Sequence, residues 1–221
     1  TVIYGQPGNF ITARSRMFNE GGSQGYAWRY NADFAQNAQA VSAFERAKDT
    51  WVDATCVNWT IGPNTTVDTL ESDGVNVVMF DNDNVLQGAL GQCTSRFNAC
   101  FIGGQPSWYL REMDIIFDPS VNWHYGLDDP SFSQYDFQSV ATHELGHGHQ
   151  LGHEIDGGTV MHFAIFNGVA NRVLSQSEMD GATEVIDRSL VAQLCPGQSA
   201  LTLHADCASS DSDGDGVLNA N

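Results

Sequence analysis

Basic residues are scarce in this chain: among 221 residues there are 9 Lys and Arg against 27 Asp and Glu, a formal net charge of -18 at pH 7. A field of that sign repels phosphate backbones and anionic headgroups, so nucleic-acid and membrane-surface roles are not expected. Long apolar runs are missing too. The longest stretches, such as 75–80 (VNVVMF), are strand-sized, well short of the eighteen or more residues a membrane-spanning helix needs, and no membrane insertion is expected. Cysteine is sparse. The five, Cys56, Cys93, Cys100, Cys195 and Cys207, are too few for a disulfide scaffold and include no C-x-x-C pair of the metal or redox kind. Short loops favour Cys93 with Cys100 and Cys195 with Cys207, an arrangement suited to an oxidising, extracellular compartment; five buried free thiols are the alternative. The sequence starts at Thr1 without an initiator Met or a basic-then-apolar leader, as expected of a processed or trimmed form.

What is present is enough apolar matter to fold. Hydrophobic residues make up 42% and charged residues only 16%, so burial can offset the entropy of ordering the chain, and the length suits one main core. Residues 1–26 read as an irregular lead-in and 27–32 as a strand. Over 38–54, Val41, Phe44, Ala47, Trp51 and Val52 recur at three- and four-residue spacing, which predicts an amphipathic helix. Segments 57–61, 75–80 and 113–117 are β-branched or aromatic and bounded by turn residues, hence strands. Gly88 and Gly91 make 86–97 an edge or bulged strand, with 93–100 closing a hairpin. A helix is predicted after Phe137, and another from Ser175 to about Val191, opened by the capping box Ser175-Gln176-Ser177-Glu178.

The informative run is HELGHGHQLGH, from His143 to His153. Residues four apart share a helix face, so His143 and His147 can both aim a ring nitrogen at one ion while Glu144 points beside it toward a bound water. A third ligand is required. On a continuing helix His153 would sit about 80° off that face, so the chain must turn after His147, a bend that Gly148 and Gly152 make cheap. Composition alone assembles such a pattern on the order of a few times in ten thousand.

These residues resemble the metzincin zinc endopeptidases, whose motif is H-E-x-x-H-x-x-G-x-x-H followed by a methionine turn. Met161 lies eight residues past His153, a short gap similar to that of the matrixins, and the last helix opens LSQSEMDG much as theirs does. The resemblance extends from about residue 27 to 191. It implies an α+β fold in α/β/α layers, with a mixed, twisted five-stranded sheet, an active-site helix, the methionine turn and a C-terminal helix. It further implies a catalytic domain over 1–195, divided near residue 152, then a linker and tail over 196–221. Zn²⁺ would be held by His143, His147 and His153, with Glu144 as general base and Met161 beneath the metal. The implied activity is that of a secreted, monomeric endopeptidase acting on protein or peptide substrates laid along the edge strand within 86–93.

Three departures from the family pattern stand out. Gln150 replaces the motif glycine, so either it adopts a left-handed conformation, at roughly 1 kcal/mol, or a neighbouring glycine carries the turn. Glu154 after the third His is astacin-like. Phe163 stands where astacins and serralysins place a zinc-reaching tyrosine, and it has no hydroxyl. Among the other histidines, His149 is expected at the surface or behind the ligands, and His124, His162 and His204 as structural. A gluzincin-type site would take Glu178 as third ligand, but the capping box already uses it. No nucleophile-elbow sequence is present. In the tail, Asp211, Asp213 and Asp215 alternate before Gly216, with Asn219 at the ninth position. This resembles the start of a thrombospondin type 3 or dockerin calcium repeat and implies Ca²⁺ there; a solvated acidic tail is the other reading. The alternative function is a secreted, non-catalytic zinc- and calcium-binding adhesion module on the same scaffold.

Overall fold

A computed structural model describes residues 25–190, 195–196, 200–205 and 207. Residues 1–24 of the expected lead-in and the residues Asp211, Asp213, Asp215 and Asn219 of the expected calcium repeat lie outside the described residues; Tyr26, the last of the lead-in, already belongs to a strand. The fold is mixed α and β. Strand β1 (Tyr26–Tyr30) buries every second residue, Tyr26, Trp28 and Tyr30, the period of a half-covered strand. Short α1 (Ala32–Gln36) follows, and then α2 (Ala38–Thr55), capped by Asn37 at one end and by Cys56 in a left-handed conformation at the other. Its buried apolar set, Ala40, Ala43, Phe44, Ala47, Trp51 and Val52, includes Phe44, Ala47, Trp51 and Val52 as expected from the spacing, while Val41 is only partly buried at the margin of the stripe.

Strands β2 (Trp59–Ile61), β3 (Asn76–Phe80), β4 (Gly91–Ile102) and β5 (Gln105–Phe117) complete a five-stranded sheet of order β2-β1-β3-β5-β4. It is parallel except for the β4/β5 pair, which leaves β4 on an edge. Both faces are covered: one by the main core around α2, the other by a smaller cluster of Val77, Met79, Leu86 and Ile116. This explains why 77–80 reads as continuously apolar rather than alternating. A two-stranded pair, β6 (Trp123–His124) with β7 (Tyr135–Asp136), leads into α3 (Phe137–Gly148); α4 (Gln176–Leu190) adds Ala182, Val185 and Ile186 to the main core.

The hairpin and both cysteine pairings expected from the sequence are corrected. β4 runs on to Ile102 and turns at Gly103-Gly104, both at positive φ. Cys93 and Cys100 therefore lie on one strand, seven residues and about 23 Å apart, beyond the span of any disulfide. The bonds are Cys100–Cys195 and Cys56–Cys207, with Cα–Cα separations of 5.6 and 5.7 Å, and Cys93 is free. Part of the stretch read as linker is packed on the body: Leu201 is buried in the main core, and the His204 N–H donates to the Cys56 carbonyl. No helix among the described residues is long and apolar enough to cross a membrane.

Candidate metal centre

Helix α3 enters the core through its cap. The Asp136 carboxylate accepts the Ser139 N–H at 2.8 Å and hydroxyl at 2.6 Å, and is ion-paired with Arg172, whose guanidinium also holds the carbonyls of Gly126 and Leu127. Further along, the Trp51 indole donates to the Thr142 carbonyl, fixing α3 against α2. Nearly every α3 side chain is buried; His143 and His147 are half-buried, on the face turned to a cleft.

The helix ends as a Schellman motif. Gln150 is left-handed, with φ 70°, its N–H donating to the His147 carbonyl and that of Leu151 to the Gly146 carbonyl. Of the two ways to make the bend, the chain uses the strained one. The turn returns the backbone so that His153 faces the helix: ring centroids lie 4.7 Å apart for His143 and His147, 4.8 Å for His147 and His153, and 5.2 Å for His143 and His153. One nitrogen from each lies within 4.8 Å of the other two.

The donor chemistry suits a borderline-soft dication. His143 Nδ1 donates to the Val160 carbonyl at 2.7 Å and His147 Nδ1 to the Leu151 carbonyl at 2.8 Å, which leaves both Nε2 lone pairs facing the cleft. His147 Nε2 and His153 Nε2 are 3.1 Å apart, close to the roughly 3.3 Å that two ligands subtend on a tetrahedral ion with 2.0–2.1 Å bonds. Burial pushes the His143 imidazole down to about 3 and that of His147 to about 4, aided in each by a neighbouring imidazole. Both rings are therefore neutral at pH 7, the form in which an imidazole can bind a metal.

Glu144 lies beside the trio, in a cleft of about 900 Å³ that runs between α3, the edge strand and the segment after Met161. Desolvation pushes its carboxyl up to about 8, opposed by a hydrogen bond from the Cys93 backbone; a dication on the adjacent imidazoles would draw the value down again. Gly91 lets the strand come this close, since a Cβ there would lie 3.1 Å from Glu144 Cγ. Met161 is fully buried under α3, its sulfur against Gly146. Its N–H donates to Glu178 Oε1 at 2.5 Å, while Glu178 Oε2 accepts the Ser175 N–H at 2.7 Å. The capping box thus also ties α4 to the turn below the histidine trio, a role that the spacing in the sequence does not reveal.

Of the two places expected for His149, the surface is ruled out. It is buried, wedged between Trp51 and Trp59 at 5.1 and 5.0 Å, with Nε2 3.0 Å from the Thr55 hydroxyl. It caps a helix that stops one residue earlier and points into α2 rather than to solvent. Glu154 is buried as well, with Oε1 accepting from Ser177. His162 lines the same cleft as the trio, its Nδ1 2.8 Å from the Ala164 carbonyl. Among the described residues, the trio is the one group of three or more His, Cys, Asp or Glu gathered closely enough to hold an ion. No family model matches the chain, and no curated protein matches it at a significant level.

Proposed function

We propose that this chain is a secreted zinc endopeptidase of the metzincin type, closest to the matrixins. The observation that carries this reading is the convergence of three imidazole nitrogens beside a buried carboxylate, in a cleft bordered by the edge strand β4. When bound, Zn²⁺ supplies Lewis acidity, lowering the pKa of a water toward about 7 and polarising a carbonyl. His143, His147 and His153 would hold it, and the bonds from Nδ1 of the first two to backbone carbonyls keep those rings aimed. Glu144 takes the proton from the attacking water and later delivers it to the leaving amine, so one carboxylate serves as base and then as acid. An extended peptide would pair with the outer side of β4, the strand that ends the sheet among the described residues. The two disulfides suit an oxidising compartment.

The adhesion-module alternative requires a closed metal shell. Its nearby fourth-ligand candidates are His149, engaged by Thr55, and Glu154, engaged by Ser177. Nothing in the geometry favours it. The test is Glu144→Gln: zinc content is expected to stay at one ion per chain while cleavage of a casein or quenched peptide substrate falls by about a thousandfold or more. Cleavage at the wild-type rate by the zinc-loaded variant would refute the general-base assignment.

A further inference from the structure

Gln150 is a buried residue in the left-handed region, at a bend that glycine would occupy without strain. Its side chain is what glycine lacks. The carboxamide nitrogen lies 3.0 Å from the Gly148 carbonyl, 3.4 Å from that of His147 and 3.3 Å from the Ser95 hydroxyl. Two of these partners are carbonyls of the last turn of α3, one belonging to a candidate ligand; the third is on β4, at the wall of the cleft. The same residue therefore shapes the turn that delivers His153 and ties that turn to the edge strand.

We propose that Gln150 is a positioning residue: through its carboxamide it locks the ligand-bearing turn to β4, fixing the distance between the metal ligands and the strand along which a substrate would lie. The strain is retained because the tether requires a side chain. Glycine would relax the turn and leave the helix carbonyls and Ser95 without this donor. Asparagine, which tolerates the left-handed region, is one methylene too short to span both sides. The claim about the metal ligands holds for any ion bound by the trio. Only the claim about substrate placement rests on the endopeptidase reading.

The test compares Gln150→Gly, Gln150→Asn and Ser95→Ala with the parent chain. Zinc affinity is read by competition with a chromophoric chelator, the Co²⁺ spectrum reports ligand geometry, and amide hydrogen exchange covers residues 91–97. For Gln150→Gly and Gln150→Asn the expected results are an unchanged or raised Tm, zinc affinity lower by about tenfold, an altered Co²⁺ spectrum and faster exchange in β4. Ser95→Ala is expected to speed β4 exchange and raise KM with kcat little changed, while leaving zinc affinity intact. A merely structural role would move Tm and zinc affinity together. Wild-type zinc affinity, Co²⁺ spectrum and β4 exchange in both Gln150 variants would overturn the proposal. An inactive parent chain that nevertheless shows the metal and exchange effects would overturn the endopeptidase reading and leave the tether standing.

Discussion

A methyl group added at Gly146 would lie 3.0 Å from the ring of Trp51 and 2.2 Å from the sulfur of Met161, the latter nearer than real side-chain contacts come. The methionine turn can seat under α3 because this position, one before His147, has no side chain. Gly146→Ala is expected to destabilise the fold by about 2 kcal/mol through overpacking and to weaken zinc binding, both readable in a zinc-dependent thermal melt; an unchanged melt would contradict the packing. The pairing of His143 with His147 on one face was legible at this scale because four residues along a helix is a local rule. His149 was not legible. Its surroundings are Trp51, Thr55 and Trp59, nearly a hundred residues away in sequence, and nothing local distinguishes an imidazole bound for that pocket from one bound for water. The left-handed Gln150 was legible only as one of two alternatives, since the neighbouring glycines could have carried the turn equally well.

Helices α2 and α4 were readable from periodicity and capping residues because each buries one stripe. The β4/β5 hairpin was only half readable. Its inner part, 113–117, is buried and, Asp114 apart, apolar, whereas 97–109 is largely exposed on both faces, so no alternation marks its length. Hidden there is a cross-strand ion cluster in which Arg96 bridges Glu112 and Asp114. Desolvation raises the Asp114 carboxyl from 3.8 to about 6, despite the opposing hydrogen bonds from Arg96 and from the Val77 N–H. Between pH 4 and 6 the folded chain thus binds more protons here than the unfolded chain, and this group costs stability as pH rises across that window. Asp114→Asn is expected to flatten the dependence: the stability of wild type relative to the variant should fall by about 2 kcal/mol from pH 4 to pH 7, allowing for the partly exposed Arg96. Parallel stability curves would rule out this assignment.

Across the whole molecule, the two disulfides span 151 and 95 residues and fasten the segment after α4 to α2 and to the hairpin. Sequence distance alone favoured short loops; the folded pairing reflects strand length and the packing of Leu201, neither of which is local. The same long-range assembly sets a helix-borne His pair, a His delivered by a strained turn and a carboxylate held by an edge strand around one cleft. X-ray absorption at the zinc edge tests this directly on the metal-loaded chain. The account predicts three imidazole nitrogens and one light, non-imidazole oxygen at about 2.0 Å, with the count falling to two imidazoles in His153→Ala. A fourth imidazole, a sulfur scatterer or an unchanged spectrum in that variant would contradict it.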